Sequence, residues 1–447
     1  MSLLAENINK VIQGHALEVL KQFPAESIDC AFTSPPYFWK REYGTVTIWD
    51  SDPTCEHDFS IKALNKSDIR FRGEKSLVGL NKNKLAFVAN TTKLSREGNT
   101  DPKNKKANTN KAKESFFCSK CGAWLGELGQ EPTIELYVKH LCDIFDEVKR
   151  VLTKYGSLYV NITDSYLKKG LLLIPEQFLL EMNRRGWLLC TKIIWQKDNC
   201  MPEPTKSRPT VNYELIFFFA KSGKYYFEQQ FEPFAPATLK RAKNLFSPGK
   251  TGQYAGLSAE NLRTYYDKIL RGEVRGRNMR AVWDINTEKS REKHTARFPR
   301  ELVERIINMS CPTEVCKSCT KPRTKIVELI PLKPREQTKL LSKVRLDSME
   351  RPPDDDSWIK IIVEKGFSDC GCGKGFRKGI ILDCFGGLGT TISVAKKLAR
   401  TGIGIELNEK YCERANQILA GFKIPAKAED HLTLDNFTDT EEEVKQT

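Results

Sequence analysis

The sequence predicts an α/β protein on a mostly parallel sheet, and three observations carry that prediction. Segments of helical periodicity alternate with short apolar strands along much of the chain. A buried strand near the C-terminal end runs into a glycine turn and then a helix, which offers unpaired backbone N–H groups to a ligand. With 447 residues and 40% hydrophobic content, the chain is long enough to bury at least one large core.

Along the chain, Val11, Ala16, Leu17, Val19 and Leu20 read as a helix, and Ile28–Phe32 as a strand entering a sharp loop. Apolar residues recur at helical spacing from Thr133 to Leu152, followed by the strand Ser157–Asn161. A helix over Pro175–Arg185 leads to a strand over Leu188–Trp195, and Tyr213–Phe219 gives another buried strand. Residues 231–290 change to Arg, Lys, Gly, Asn and Tyr without a strand rhythm. The α/β pattern returns at Phe298–Met309, breaks over 311–377, and resumes at Ile380–Phe385.

The net charge of +15 points to a polyanionic partner, because Lys and Arg at phosphates release condensed counterions. Much of it is local: residues 61–114 hold 14 Lys or Arg against 5 Asp or Glu, where charge also serves to keep a loop solvated. Residues 61–115 therefore read as a basic, flexible insertion, and 429–447 as an acidic tail. The longest apolar run, Leu215–Ala220, falls far short of the roughly 20 residues that cross a bilayer. Met1–Lys10 has no secretory pattern, so the reading expects a soluble, cytoplasmic protein with no membrane partner.

The segment Gly379-Ile-Ile-Leu-Asp383-Cys-Phe385-Gly386-Gly387-Leu-Gly389-Thr390-Thr391 places the glycine turn between a strand and the helix Ile392–Ala399. Glycine lets backbone approach a ligand closely. A second strand, Gly402–Glu406, ends in an acid 23 residues beyond Asp383, placed to accept hydrogen bonds from ribose hydroxyls. The pattern is neither G-x-G-x-x-G nor a G-K-[ST] triphosphate loop. These residues indicate a nucleoside-type cofactor.

At the other end of the chain, Thr33-Ser34-Pro35-Pro36-Tyr37 follows a buried strand. Two prolines fix φ and remove two N–H donors, which frees carbonyls to point into a cleft. An exocyclic amino group is a poor nucleophile because its lone pair is delocalised. A site accepting hydrogen bonds from both of its protons favours a tetrahedral nitrogen. The Pro35 carbonyl and the Ser34 side chain are the candidate acceptors, and Tyr37 can stack on an extruded base.

Thr33–Tyr37 resembles motif IV, and Asp383–Thr391 motif I, of amino-group DNA methyltransferases. Their order, with the catalytic motif first, resembles the circularly permuted β class, and His294-Thr-Ala-Arg-Phe298-Pro299 resembles the motif that encloses the cofactor's methionine portion. The resemblance covers most of residues 8–60, 116–225 and 280–420. It implies a Rossmann-like S-adenosylmethionine-dependent fold. The catalytic half comprises 1–60 and 116–230, target recognition lies in 231–290, and 291–428 form the cofactor half with an insertion at 311–377. It implies methyl transfer from S-adenosylmethionine to a flipped base in double-stranded DNA, with no covalent enzyme–base intermediate. No Pro-Cys dipeptide of the ring-carbon-methylating kind occurs. Catalytic roles fall to Ser34, Pro35, Pro36 and Tyr37. Cofactor contacts fall to Thr33, Asp383, Phe385, Gly386, Gly387, Gly389, Thr390 and Glu406, with Phe298 assisting. Ser34 in place of an Asp favours cytosine N4. Adenine N6, an RNA target, and a zinc-containing DNA-binding regulator without catalysis are the alternatives. A cognate restriction endonuclease is the expected partner. Where the family carries an acid near the chain start, this sequence has Gly14-His15-Ala16, so that adenine contact is not carried over.

Fourteen cysteines in a reducing compartment imply thiols or metal ligands. Cys55-x-His57 with Cys118-x-x-Cys121, and Cys316-x-x-Cys319 with Cys370-x-Cys372, could form one or two tetrahedral structural zinc sites, each stapling the ends of an insertion, and the spacing leaves open which pair meets which. Cys30, Cys142, Cys190 and Cys384 read as core thiols. Arg208, Arg275, Arg277, Asn278 and Arg280 are candidates for DNA, through base edges or phosphate. Asp164-Ser165-Tyr166 either lines the base cleft or caps a helix.

Overall fold

The computed structural model describes residues 3–59, 117–167, 169–244, 264–266, 268–269, 273–288, 298–331 and 360–421. The basic insertion 61–115, the polar stretch 333–357, His294–Arg297 and the acidic tail lie outside these residues.

Its centre is an eight-stranded sheet. The strands are β1 (Val11–Gln13), β2 (Ile28–Thr33), β3 (Leu152–Ile162), β4 (Leu188–Gln196), β5 (Tyr213–Ala220), β6 (Val282–Asp284), β7 (Ile380–Asp383) and β8 (Thr401–Glu406). The spatial order is β1-β8-β7-β2-β3-β5-β4-β6, with only β5 running against its neighbours. The two C-terminal strands therefore slot between β1 and β2, which interleaves the ends of the chain.

The longer helices against the sheet are α1 (Ala16–Lys21), α2 (Ile134–Val151), α3 (Ile174–Arg184), α4 (Arg300–Ser310), α5 (Thr390–Lys397) and α6 (Glu409–Gly421). Thr133 caps α2, its side chain accepting from the Leu136 N–H at 3.2 Å. Each central strand is apolar on both faces, as a sheet covered on two sides requires. In β2, Ala31 packs into the core under α1, α2 and α3, while Cys30 and Phe32 pack with α4 and α5. Gly402 lets α5 lie against β8: a Cβ there would meet Ile392 Cα at 2.7 Å.

The elements expected over 133–152, 175–185, 188–195, 213–219, 298–309 and 380–406 are present, with ends shifted by a few residues. Two expectations need correction. Val11 is not helical but pairs in β1 with Gly404, because its partner strand lies nearly 400 residues away and local periodicity cannot register it. Residues 231–290 are not free of strands: Phe231–Glu232 pairs with Arg277–Asn278, and Val282–Asp284 forms the sheet edge as β6. Within 311–377, Glu314–Cys316 pairs with Phe376–Lys378, and Lys325–Pro331 with Lys360–Phe367.

Candidate active site

In a doubly wound sheet, ligands bind beyond the carboxyl ends of the strands where the order reverses. Here that point lies between β7 and β2, whose last residues are Asp383 and Thr33. A cleft of about 860 Å³ opens there, and both sequence motifs meet in it: Ser34, Pro35, Pro36 and Tyr37 on one wall, Phe385, Gly386, Gly387 and Thr390 on another.

Not every residue assigned to the cofactor lines this cleft. Thr33 and Asp383 are fully buried. One Asp383 oxygen accepts from Thr33 Oγ1 at 2.6 Å and from the Phe385 N–H at 3.2 Å, the other from Thr391 Oγ1 at 2.7 Å. Burial pushes the Asp383 carboxyl up, and these donors oppose it. Thr33 and Asp383 thus form the floor beneath the turn rather than a contact surface. Gly389 sits below as well, at φ +75°, capping α5 in a left-handed conformation. Gly387, at φ +48°, donates its N–H to Glu406 at 2.8 Å, and the second Glu406 oxygen accepts from Asn408 N–H at 2.8 Å. Burial raises the Glu406 carboxyl too. Glu406 and Phe298 do line the cleft, with Tyr43 and Tyr411.

The Ser-Pro-Pro-Tyr corner is held from behind. Tyr137 Oη donates to the Pro36 carbonyl at 2.8 Å, so Pro36 anchors the corner; the Pro35 carbonyl has no donor among the described residues. Tyr37 Oη donates to Glu214 Oε2 at 2.7 Å, and lies 3.0 Å from Ser34 Oγ. Because a phenol has one proton and a carboxylate has none to give, the Ser34 hydroxyl is the donor to Tyr37. Its lone pairs then remain for another donor. Burial and the Glu214 charge push the Tyr37 phenol well up, which keeps it protonated. Asn161 Nδ2 bridges Tyr37 Oη at 2.9 Å and Glu214 Oε2 at 2.8 Å, and Lys197 Nζ donates to Glu214 Oε1 at 2.6 Å.

Asn161, Lys197 and Glu214 are functional candidates that sequence reasoning missed. Each is a polar residue at or beside the end of a strand, and Lys197 stands in the polar run Gln196–Asn199, so the sequence marks none of them out. Asp164, by contrast, caps α3: its oxygens accept from Leu173 and Ile174 N–H at 3.0 and 3.2 Å. His15, where an acid was expected, also lines the cleft. Its ring stands edge-on to Trp49 at 4.5 Å, its Nδ1 is buried without a hydrogen-bond partner among the described residues, and burial lowers its pKa.

The eight proposed metal ligands gather in two groups as paired in the sequence. The ligand atoms of Cys55, His57, Cys118 and Cys121 lie within 4.8 Å of one another, as do those of Cys316, Cys319, Cys370 and Cys372. The first group adjoins the paired strands Thr47–Trp49 and Trp124–Gly126, and so borders the cleft through Trp49. The second sits at the opposite, entry end of β7 and β2, where Arg377 forks onto the buried Asp29 carboxylate that also accepts from Ile380 N–H at 2.8 Å.

Of the DNA candidates, Arg208 stacks over the Tyr166 ring at 3.7 Å and pairs with Glu203 at 2.6 Å. Arg277 and Arg280 share Glu232 at 2.8 and 3.0 Å, which offsets part of their charge. Arg275 and Asn278 are exposed.

A family model described as DNA methylase matches residues 28–315 and 370–417. The type II methyltransferase M.SmaI of Serratia marcescens is 29% identical over 206 residues, covering 40% of this chain and 59% of that protein. M.Cfr9I of Citrobacter freundii is 28% identical over 210 residues, covering 40% and 58%. The chain thus spans somewhat over half the length of these relatives. Among solved structures, the PvuII DNA methyltransferase, described as cytosine-N4-specific, aligns with a TM-score of 0.41 at 15% identity, covering 95% of this chain and 92% of that one.

Proposed function

The chain belongs to the DNA methylase family of N6- and N4-directed methyltransferases, and from that membership we propose that it methylates the exocyclic amino group of a flipped base in double-stranded DNA, with cytosine N4 as the target. The observation that carries this reading is the single cleft into which both the Ser34-Pro35-Pro36-Tyr37 corner and the Gly386–Thr390 turn open.

The lining fits S-adenosylmethionine. The Glu406 carboxylate suits a ribose-bearing group, since each of its oxygens keeps a lone pair beyond the Gly387 and Asn408 N–H groups, and Tyr43, Phe298 and Tyr411 offer apolar walls. When bound, the cofactor supplies an electrophilic methyl group on a sulfonium. The chain's residues do the rest. The Pro35 carbonyl and Ser34 Oγ accept hydrogen bonds from the two amino N–H groups and draw the nitrogen lone pair out of the ring. Ser34, Tyr37 and Glu214 form an ordered donor chain, so the proton shed by the methylated nitrogen has a path to a carboxylate. Asn161 and Tyr137 hold the corner rigid. Ser34 in place of an acid favours cytosine N4 by family resemblance alone, since its hydrogen bonds read only the amino group common to both bases.

Residues 231–290 would read the target sequence through Arg275, Arg277, Asn278 and Arg280, and Arg208, stacked on Tyr166, would contact phosphate. Each cysteine group would bind one structural zinc. A tetrahedron with arms of about 2.3 Å has edges of about 3.8 Å, and Cys55 Sγ lies 3.9 Å from Cys118 Sγ. Four protein ligands leave no open position, so the ions would take no part in the chemistry. The type II names of the relatives support a cognate endonuclease as partner. No helix among the described residues is long and apolar enough to cross a membrane, which accords with a cytoplasmic setting.

The test is incubation with unmodified duplex DNA and tritiated S-adenosylmethionine, then identification of the labelled nucleoside. N4-methylcytosine is the expected product. N6-methyladenine would move the reading to the adenine branch, and failure to bind the cofactor would favour a non-catalytic DNA-binding protein.

A further inference from the structure

We propose that Lys197 reads the 2-oxo oxygen of the flipped cytosine and is the residue by which the cleft rejects adenine. The inference rests on the cytosine reading above and assigns the group that enforces it.

Cytosine and adenine present the same first two features to a pocket: an amino donor, then a ring-nitrogen acceptor. They part at the third, where cytosine has the O2 acceptor and adenine a C–H. An acceptor corner such as Ser34 and Pro35 therefore cannot distinguish them. Discrimination needs a donor farther along the same edge, and the cleft supplies one. Lys197 follows directly on β4, with its N–H on the Asn212 carbonyl at 2.7 Å. Its ammonium lies 4.7 Å from the centre of the Trp195 ring and donates to Glu214 Oε1. Through Glu214 and Tyr37 it stands two groups away from Ser34, and all four residues line the same cleft.

The charge balance also fits. Glu214 compensates the ammonium, so the pair survives partial burial, its side chains being 16% and 17% exposed. An ammonium has three N–H groups, and Glu214 Oε1 takes one. A donor left facing a C–H in a closed pocket loses its water without replacement, which is how buried polar groups reject a near-isostere. Lys197 would thus penalise adenine as well as hold cytosine.

The experiment first maps the sites that the wild-type protein methylates in genomic DNA and identifies the nucleoside. A duplex is then built with either cytosine or its analogue lacking the 2-oxo oxygen at the target position, and both are assayed with wild type and Lys197→Met. The wild type is expected to lose about 100-fold in kcat/KM on the analogue. Lys197→Met should lose a similar factor on cytosine, yet distinguish the two bases by no more than about threefold, with unchanged cofactor affinity. Lys197→Arg should recover part of the discrimination. If Lys197→Met keeps the wild-type ratio, or slows both substrates equally, the inference is overturned while the cytosine reading stands. If the wild-type product is N6-methyladenine, or no nucleoside is methylated, that reading falls and the inference with it.

Discussion

The Thr33 hydroxyl donates to the Asp383 carboxylate at 2.6 Å, joining two residues 350 positions apart at the ends of neighbouring strands. This bond, with the Phe385 N–H onto Thr33 Oγ1 at 3.2 Å, ties the base of the Ser-Pro-Pro-Tyr corner to the base of the glycine turn. Thr33→Val keeps the shape and removes the donor, leaving a buried carboxylate short of one partner. Hydrogen bonds to charged groups contribute about 1.5–3 kcal/mol. Urea unfolding should show a loss of about 2 kcal/mol, and calorimetry a several-fold weaker affinity for S-adenosylmethionine. An unmoved urea midpoint would show that the two strand ends are held together by packing alone.

Ser34 faces the cleft with its own proton committed to Tyr37, so its value lies in its lone pairs. Ser34→Ala removes an acceptor from the reacting nitrogen and leaves the glycine turn untouched. Single-turnover methylation should slow by about 100-fold, the usual scale for losing one such group. The cofactor dissociation constant should stay within about twofold. A Ser34→Ala protein that methylates at the wild-type rate removes Ser34 from the mechanism.

How much of this was legible follows from sequence distance. The glycine turn and the Pro-Pro corner are contiguous and constrain their own backbone, so they announce themselves. The cysteine groups were equally readable, because paired ligands two or three residues apart carry their geometry with them. What failed was whatever depends on a remote partner. Val11–Gln13 shows its strand character only against β8, and Val282–Asp284 is three residues that only β4 organises. Glu214, Lys197 and Asn161 acquire meaning only once β3, β4 and β5 lie side by side. Thr33, Asp383 and Gly389, expected to contact the cofactor, lie beneath the turn and do not line the cleft.

The two cysteine groups differ in what they support, which makes them separable. Metal analysis should find two zinc ions per chain, and one in either Cys118→Ser or Cys316→Ser. The N–H groups of Cys319 and Ser318 bring the Cys316 thiol down to about 6, so it is poised as a thiolate. Losing the first group should loosen Trp49, and with it His15 on the cleft wall, so Cys118→Ser should weaken cofactor affinity. Cys316→Ser acts at the far end of β7 and should lower stability with cofactor affinity unchanged. Equal effects of the two variants on cofactor affinity would refute this division.

His140 offers a test by pH. Its side chain is fully buried between Trp49 and Trp124, with ring centres at 4.6 and 5.5 Å and both pairs near parallel. Burial alone would lower its pKa, but Asp50 and Glu131, accepting on either side at 3.4 and 3.1 Å, outweigh it and hold it above 6.5. A histidine whose folded pKa exceeds its unfolded value adds stability that is whole below the unfolded pKa. That stability is lost as pH rises through the folded one. The melting temperature of wild type relative to His140→Gln should therefore fall as the pH is raised from about 6 upward. The variant's own packing loss is independent of pH and cancels from the slope. A flat difference over that range would mean that His140 is neutral between its two carboxylates, and that the rings beside it stack on an uncharged imidazole.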